Sequence, residues 1–247
     1  MKICFIVGHG KSASGGYDSG AVCGNYHEFK IAKEIAKYAY EYYVENYGEA
    51  DLMNYKGDLY LSNRIKKANL KKYDFVAEIH LNAGKGYGSE VYYAKASSKG
   101  KEIAAAISES ISLALGIKNR GAKIKLGNNG DYFGIIRQTN MEAVLIETAF
   151  IDTTDLNTIK TAEGQKKCGI AIAQAIAKTL NVKKNYFAKC GSDFVSIVDA
   201  LKSIGENSSY SYRAKIAKAN SISAYVGTAK QNAALLTLLK QGKLIKP

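Results

Sequence analysis

Short apolar runs alternate with helical patterns through the first three quarters of the chain. Apolar runs of strand length predict strands at residues 2–7, 75–81, 89–94 and 143–147. Apolar residues at helical spacing predict helices at residues 29–47, 62–70, 97–115 and 161–180. Strands that alternate with helices indicate an α/β fold, with a mainly parallel twisted sheet flanked by helices on both faces. The glycine-rich segment 84–88 predicts a hairpin turn between the second and third of these strands.

The pattern changes after Leu180. From Tyr186 onward no strand pattern remains, and three short helices are predicted at residues 192–204, 210–220 and 228–240. We therefore predict two domains, residues 1–181 and a small all-helical domain at residues 186–247, joined by residues 182–185. A unit of about 60 residues is only marginally stable alone, so docking or homodimerisation through this second domain would help to stabilise it.

The charge of the chain narrows the classes of partner. The 247 residues are 47% hydrophobic, which indicates a globular protein, and they carry a net charge of +13. Residues 186–247 contain nine basic and three acidic residues, a net charge of +6. This charge favours polyanions such as nucleic acid, anionic lipid or the anionic polymers of a bacterial cell wall. No helix-turn-helix or RNP pattern supports nucleic-acid binding, and no apolar run is long enough for membrane insertion.

The first residues and the cysteines indicate a compartment. Only five apolar residues, 3–7, follow Lys2, whereas a secretory signal needs a longer apolar run and a cleavage site. We therefore expect synthesis as a soluble cytoplasmic protein. The four cysteines are too scattered for a zinc knuckle or a disulfide framework, so reduced thiols are expected.

Two of the three histidines follow predicted strands. His9 comes shortly after residues 3–7, and His80 comes directly after residues 75–79. In open α/β sheets, the carboxyl ends of parallel strands face the crevice where ligands bind. Glu28 opens the first long helix and fits as a third ligand. Two histidines and one glutamate with an open position form a catalytic zinc arrangement, which also needs a carboxylate that does not bind the metal. Glu147 ends a buried-type strand at the same edge and fits that role.

Simpler explanations stay open for each of these residues. A histidine on a strand is often a hydrogen-bonded core residue, and Glu28 could merely complement the helix dipole. Glu147 could form a buried ion pair, with the candidate partners Arg64, Arg120 and Arg137. Other chemistries have less support, because the HExxH, GxSxG and P-loop patterns are all absent.

Four blocks of sequence resemble, in the right order, the type 3 N-acetylmuramoyl-L-alanine amidases. These blocks are VGHG with DSGA and Glu28, then SNRIKKAN at residues 62–69, EIHLNA with GSE at residues 78–90, and AVLIETAF at residues 143–150. The loop after His9 is longer than the family's usual form, and Met141-Glu142 replaces the common proline before Ala143. Neither departure removes a candidate ligand.

The resemblance implies a zinc-dependent amidase that cleaves between N-acetylmuramic acid and L-alanine of peptidoglycan. Carried over by motif, His9, Glu28 and His80 match the zinc ligands, and Glu147 matches the catalytic glutamate. Asn82, Glu90 and Arg120 are candidate substrate-binding residues, although local structural roles explain them equally well. No further cofactor is implied.

Residues 186–247 resemble, less specifically, small helical wall-binding modules of phage lysins from clostridia and related Gram-positive hosts. We therefore expect a phage endolysin that is stored in the host cytoplasm, acts on the wall after release, and binds peptidoglycan and anionic wall polymers through its basic domain. A prophage-derived or sporulation-linked lysin stays open as an alternative origin. A zinc peptidase or carboxypeptidase acting on the stem peptide is the nearer alternative. A wall-binding protein without catalytic activity is the more distant one.

Overall fold

A computed structural model describes residues 1–183 and 186–247 of the chain. Two compact units are present: the first comprises Met1–Val44 and Glu49–Val182, and the second comprises Lys183–Pro247 with Glu45–Gly48. Within the predicted linker 182–185, Lys184 and Asn185 lie outside the described residues. The functional assignment of the two predicted domains stays a prediction.

The first unit alternates strands and helices. The strands are β1 (Ile3–Val7), β2 (Gly10–Lys11), β3 (Tyr17–Asp18), β4 (Val22–Cys23), β5 (Tyr26–His27), β6 (Ala50–Met53), β7 (Phe75–Asn82), β8 (Ser89–Tyr93), β9 (Asn119–Lys123), β10 (Leu126–Gly127), β11 (Gly130–Asp131) and β12 (Glu142–Phe150). The helices are α1 (Glu28–Asn46), α2 (Leu61–Lys71), α3 (Ser98–Leu115), α4 (Gly134–Arg137), α5 (Leu156–Ile159) and α6 (Ala162–Thr179).

Six of these strands form one sheet in the order β6-β1-β7-β12-β8-β9. The neighbours β6, β1, β7 and β12 run parallel, whereas β8 is antiparallel to β12 and parallel to β9. The prediction of a mainly parallel sheet is therefore confirmed. Because β1, β7 and β12 lie side by side and run the same way, their carboxyl ends form one continuous edge.

Helices cover both faces of the sheet. Cys4 and Ile6 of β1 pack with Ile65 of α2 and Ile135 of α4 in one apolar cluster. Phe5 points to the opposite face, as alternation along a strand requires, and its ring contacts that of Tyr43 in α1 with centroids 5.9 Å apart. The fully apolar composition of β1 follows from this burial on both sides.

The predicted hairpin at residues 84–88 is wrong, because β12 lies between β7 and β8. The glycine-rich segment instead crosses over the end of β12 and is held by the loop that follows it. Asp152 Oδ2 accepts hydrogen bonds from the backbone nitrogens of Gly84 and Lys85, and Asp155 Oδ2 accepts one from Gly88. Glycine-rich composition correctly indicates a turn here, but it carries no information about which strands pair.

The second unit is built from the helices α7 (Ile197–Ser203), α8 (Tyr210–Ala219) and α9 (Ala229–Gln241). Its core contains leucine and isoleucine side chains from all three helices, including Leu201, Ile216 and Leu235. A β-bridge pairs Tyr186 with Ile245. The prediction of a small helical C-terminal unit is confirmed.

Helix α7 begins five residues later than predicted. Ser196 has an extended backbone, and its side chain accepts a hydrogen bond from the backbone nitrogen of Asp199, which makes Ser196 the N-cap. Residues 192–196 therefore lie outside the helix. Among the helices of the described ranges, none is long and apolar enough to cross a membrane.

Candidate metal centre

Two imidazole rings and a carboxylate converge at the carboxyl edge of the sheet. His9 lies two residues after β1, His80 lies near the end of β7, and Glu28 is the first residue of α1. Glu28 Oε1 lies 3.1 Å from His9 Nε2 and 2.9 Å from His80 Nδ1. One ligand atom from each of the three residues lies within 4.8 Å of the other two, which is compact enough for one metal ion.

Two glycines allow these side chains to approach so closely. A Cβ atom on Gly8 would lie 2.2 Å from the ring of His80. A Cβ atom on Gly20 would lie 2.5 Å from Glu28 Oε2, and Gly20 also has a φ of +65°, which favours glycine. Gly8 in the VGHG block and Gly20 in the DSGA block therefore have a steric explanation.

The backbone of His9 is strained, and two neighbouring side chains hold it. His9 has a φ of 60°, in the left-handed region that non-glycine residues seldom adopt. The buried side chain of Asn54 donates hydrogen bonds from Nδ2 to the carbonyl oxygens of Val7 and His9, at 2.7 and 2.8 Å. Arg64 Nη1 donates to the same His9 oxygen at 3.0 Å. These bonds fix the direction in which the His9 ring projects.

Each histidine also has a carboxylate near its second ring nitrogen. Asp18 Oδ2 lies 2.8 Å from His9 Nδ1, and Glu78 Oε2 lies 3.5 Å from His80 Nε2. Burial is the largest single effect at both rings and disfavours the charged imidazole, but the neighbouring carboxylates together outweigh it: Glu28 with Asp18 at His9, and Glu28 with Glu78 at His80. The pKa of His9 is raised, and that of His80 is raised to about 10. Burial opposes ionisation of Glu28 as well, yet the two histidines hold its pKa well below the usual range.

The donor set fits a zinc ion. Two imidazole nitrogens and one carboxylate oxygen, in a cavity with open space beside them, are the ligands of a catalytic zinc site. The cavity has a volume of about 420 Å³, and apart from the two histidines that are candidate ligands, its acidic lining residues Asp18, Glu28, Glu78 and Glu147 outnumber its lysine and arginine, Lys11 and Arg64. An excess of acidic groups around convergent nitrogen ligands favours a cation at this point.

Glu147 lies beside this cluster. It lies on β12 directly opposite His80 in the parallel pairing, and its side chain lines the same cavity. Its Oε2 atom is buried and has no hydrogen-bond partner among the described residues. Burial is the main cause that raises the pKa of Glu147 to about 7, and the nearby carboxylates of Glu28 and Glu90 add to it, although His80 opposes them.

The three arginines considered as partners of Glu147 are engaged elsewhere. Arg64 Nε lies 2.8 Å from Glu78 Oε1, and Arg120 Nε lies 2.6 Å from Glu90 Oε2. Arg137 Nη1 donates to backbone carbonyl oxygens. The ion-pair explanation of Glu147 is therefore wrong, and this carboxyl group is left available in the cavity.

The three candidate substrate-binding residues form one hydrogen-bonded group. Asn82 lines the cavity, and its Nδ2 atom donates to Glu90 Oε1 at 2.8 Å. Glu90 is buried, and its other oxygen pairs with Arg120, whose guanidinium group lies 5.1 Å from the ring centroid of Phe150. The Glu90–Arg120 pair thus orients the Asn82 amide. Contact of these residues with substrate stays a prediction.

Sequence reasoning assigned no site role to Asp18, Asn54 or Glu78. Glu78 had a detectable signal, because it is an ionisable residue inside the apolar strand run 75–81, where it needs a partner or a function. Asp18 belongs to the DSGA block, nine residues after His9. Asn54 follows the short strand β6, which was not predicted, and so lacked a framework that would place it near His9.

Fold and cluster together define a class: an α/β protein with a candidate catalytic metal centre at the carboxyl edge of a mainly parallel sheet. A family model described as N-acetylmuramoyl-L-alanine amidase matches residues 3–178. The chain belongs to this family, which is a family of hydrolases, and the resemblance seen in the sequence is confirmed.

Individual relatives agree with this membership. The endolysin of Bacillus phage SPP1 is 32% identical over 190 residues, which cover 69% of this chain and 64% of that protein. Cwp6 from Clostridium difficile has a TM-score of 0.66 and 32% identity, over 72% of this chain and 29% of that one. The catalytic domain of CwlV, an N-acetylmuramoyl-L-alanine amidase from Bacillus (Paenibacillus) polymyxa var. colistinus, has a TM-score of 0.62 and 29% identity, over 74% of this chain and all 100% of that one.

This chain thus spans just under two thirds of the SPP1 endolysin and less than a third of Cwp6. The matched part is the first unit, since the family model ends at residue 178.

Replacing Asn54 with alanine should destabilise the first unit. The change removes the hydrogen bonds that Nδ2 donates to Val7 and His9 and the one that Oδ1 accepts from the backbone nitrogen of Leu59, and it leaves alanine at a φ of 63°. We expect the free energy of unfolding to fall by about 3 kcal/mol, which lowers the melting temperature by roughly 6–12 °C in calorimetry. Asn69→Ala is the control. It removes two hydrogen bonds, to Gln138 and Asn140, that are more exposed to solvent, and it should lower the free energy of unfolding by less than about 1 kcal/mol. Equal losses in the two variants would contradict this account of His9.

Proposed function

We propose that this chain is a zinc-dependent peptidoglycan hydrolase that cleaves the amide bond between N-acetylmuramic acid and L-alanine. The observation that carries the proposal is the convergence of His9, Glu28 and His80 in one cavity with Glu147, whose buried Oε2 atom has no hydrogen-bond partner among the described residues. Membership of the amidase family, and similarity to an endolysin and to named amidases, support the choice of bond.

His9 Nε2, His80 Nδ1 and a carboxylate oxygen of Glu28 would hold the zinc ion. When bound, zinc supplies Lewis acidity toward a carbonyl oxygen and makes water more acidic. The chain itself supplies the direction of these ligands, through the bonds that Asn54 and Arg64 make to the His9 carbonyl and the contact of Asp18 with His9 Nδ1.

Glu147 would move the proton. Its pKa of about 7 lies near neutral pH, so the carboxyl group can both accept and donate a proton during one reaction cycle. We propose that Glu147 accepts the proton of the attacking water and later delivers it to the amine of the departing L-alanine. Its buried Oε2 has no competing hydrogen-bond partner among the described residues, which leaves that atom available to the reactants.

Asn82 would contact the substrate. Its amide lines the cavity and donates a hydrogen bond to Glu90 on β8. Arg120 on β9 pairs with Glu90, so the two residues hold the amide in place. Glu90 and Arg120 would then contribute to substrate binding through Asn82.

The second unit would hold the enzyme on anionic polymers of a Gram-positive wall. Residues 186–247 carry a net charge of +6, and their exposed lysines include Lys202, Lys215, Lys218, Lys230 and Lys243. Exposed lysines attract phosphate and carboxylate groups as point charges, and this attraction weakens with salt.

Replacing Glu147 with glutamine should abolish most turnover without loss of zinc. Glutamine has a similar shape but cannot accept a proton, so kcat on peptidoglycan fragments should fall about 100- to 10,000-fold. Zinc content, measured by elemental analysis, should equal that of the wild type. Glu142→Gln, at the other end of β12 where Glu142 accepts a hydrogen bond from Ser97, is the matched control and should retain activity. Substantial turnover by Glu147→Gln would refute the proposed mechanism.

Charge removal from the second unit should weaken wall binding alone. With Lys202, Lys215, Lys218, Lys230 and Lys243 all replaced by glutamine, the full chain should bind purified walls at least about tenfold less in a sedimentation assay at low salt. Turnover of small soluble fragments should not change, because the cavity lies in the first unit. The control carries glutamine at five exposed lysines of the first unit: Lys66, Lys71, Lys101, Lys166 and Lys178. If both variants lose wall binding equally, the targeting role of the second unit is wrong.

A further inference from the structure

Glu78 is a buried charge in an unusual position. It lies in the middle of β7, its side chain is only 2% exposed, and most of its neighbours along the strand are apolar. Taking a carboxylate out of water is costly, and even a buried ion pair is seldom more stable than apolar residues of the same size. The Glu78 side chain therefore needs an explanation besides the stability of the core.

The two carboxylate oxygens of Glu78 face different partners. Oε1 lies 2.8 Å from Arg64 Nε, and Oε2 lies 3.5 Å from His80 Nε2. His80 Nε2 is itself buried and makes no hydrogen bond within the described residues, so the Glu78 carboxylate 3.5 Å away is placed to accept one from it. On the opposite side of the same ring, Nδ1 faces Glu28 Oε1 at 2.9 Å. The two nitrogens of His80 thus have separate environments.

Arg64 extends this arrangement to the other histidine. Its Nη1 atom donates to the carbonyl oxygens of His9 and Leu59, at 3.0 and 2.9 Å, while its Nε atom bonds Glu78. One buried guanidinium group is therefore in contact with the backbone of His9 and, through Glu78, with the ring of His80. Arg64 comes from α2, which supplies none of the candidate ligands.

We infer that Glu78 and Arg64 are positioning residues of the metal centre. Glu78 accepts a hydrogen bond from the protonated Nε2 of His80. The ring is thereby kept in the tautomer whose free lone pair is on Nδ1, and this lone pair can bind the metal ion. Arg64 holds the Glu78 carboxylate in place and fixes the carbonyl group of His9, so that both histidine ligands are oriented by one ion pair. Metal-binding histidines commonly need such an acceptor for the second ring nitrogen. This inference rests on the metal centre of the proposed function.

Glu78→Gln separates this role from simple packing. Glutamine keeps the size of the side chain but has one acceptor oxygen, whereas Arg64 Nε and His80 Nε2 are both donors, so one of them would face an NH₂ group. We expect the dissociation constant for zinc, measured on the full chain by competition with a chromophoric chelator, to rise about 10- to 100-fold.

Glu90→Gln is the matched control. Glu90 is equally buried and pairs with Arg120 at 2.6 Å on the nearby strand β8, but it is not in contact with a candidate ligand. Its substitution should change the zinc dissociation constant by less than about threefold. Loss of an acceptor beside a metal ligand is expected to change it by at least about tenfold. The inference is overturned if Glu78→Gln binds zinc as tightly as the wild type, or if both variants lose affinity equally.

The wild-type protein allows a test that does not depend on a folded variant. In the zinc-loaded chain, ¹⁵N spectra of the histidine rings should show His80 protonated at Nε2. Protonation at Nδ1 instead would overturn the inference while leaving zinc binding intact. If the wild type binds no zinc at all, the proposed function itself fails, so the two failures are distinguishable.

Discussion

The contact of one carboxylate with two imidazole rings constrains the rest of the first unit. Glu28 Oε1 lies within 3.1 Å of nitrogens from both His9 and His80. To bring these atoms together, β1 and β7 must be adjacent and parallel, and α1 must begin at the carboxyl edge of the sheet. Gly8 and Gly20 must also lack side chains, because a Cβ atom at either would collide with the cluster. The close contact of these three side chains thus depends on both the strand arrangement and the two glycines.

The electrostatics of the cavity divide its carboxyl groups into two kinds. Glu28 and Glu78 face imidazole or guanidinium groups, which keep their pKa below the usual range in spite of burial. Glu147 lies one strand further along, has no such partner among the described residues, and has its pKa raised to about 7 mainly by burial. Groups of the first kind suit a cation, and a group of the second kind suits proton transfer. Both kinds of carboxyl group line one cavity, since His80 and Glu147 are direct neighbours across β7 and β12.

Local pattern predicted the elements better than their pairing. Strand ends that carry His9, His80 and Glu147 were recognisable, because apolar runs are easily detected and parallel strands share an edge. The position of β12 between β7 and β8 was not, since pairing over more than 50 residues leaves no local trace. The edge strand Ala50–Met53 is short and contains a charged residue, so it lacked a strand pattern. With it, the role of Asn54 beside His9 was also missed.

The central claim concerns the bond that is cut, and the amino terminus that appears during digestion tests it most directly. The purified, zinc-loaded chain should expose L-alanine as a new amino terminus of the stem peptides in purified peptidoglycan. No new reducing sugars should appear, because hydrolysis at the lactyl amide frees that amine alone. The new amine should increase in step with the loss of wall turbidity. A terminus from further along the stem peptide would identify a peptidase, and binding to walls with no new terminus would identify a protein without turnover. Either result would contradict the account.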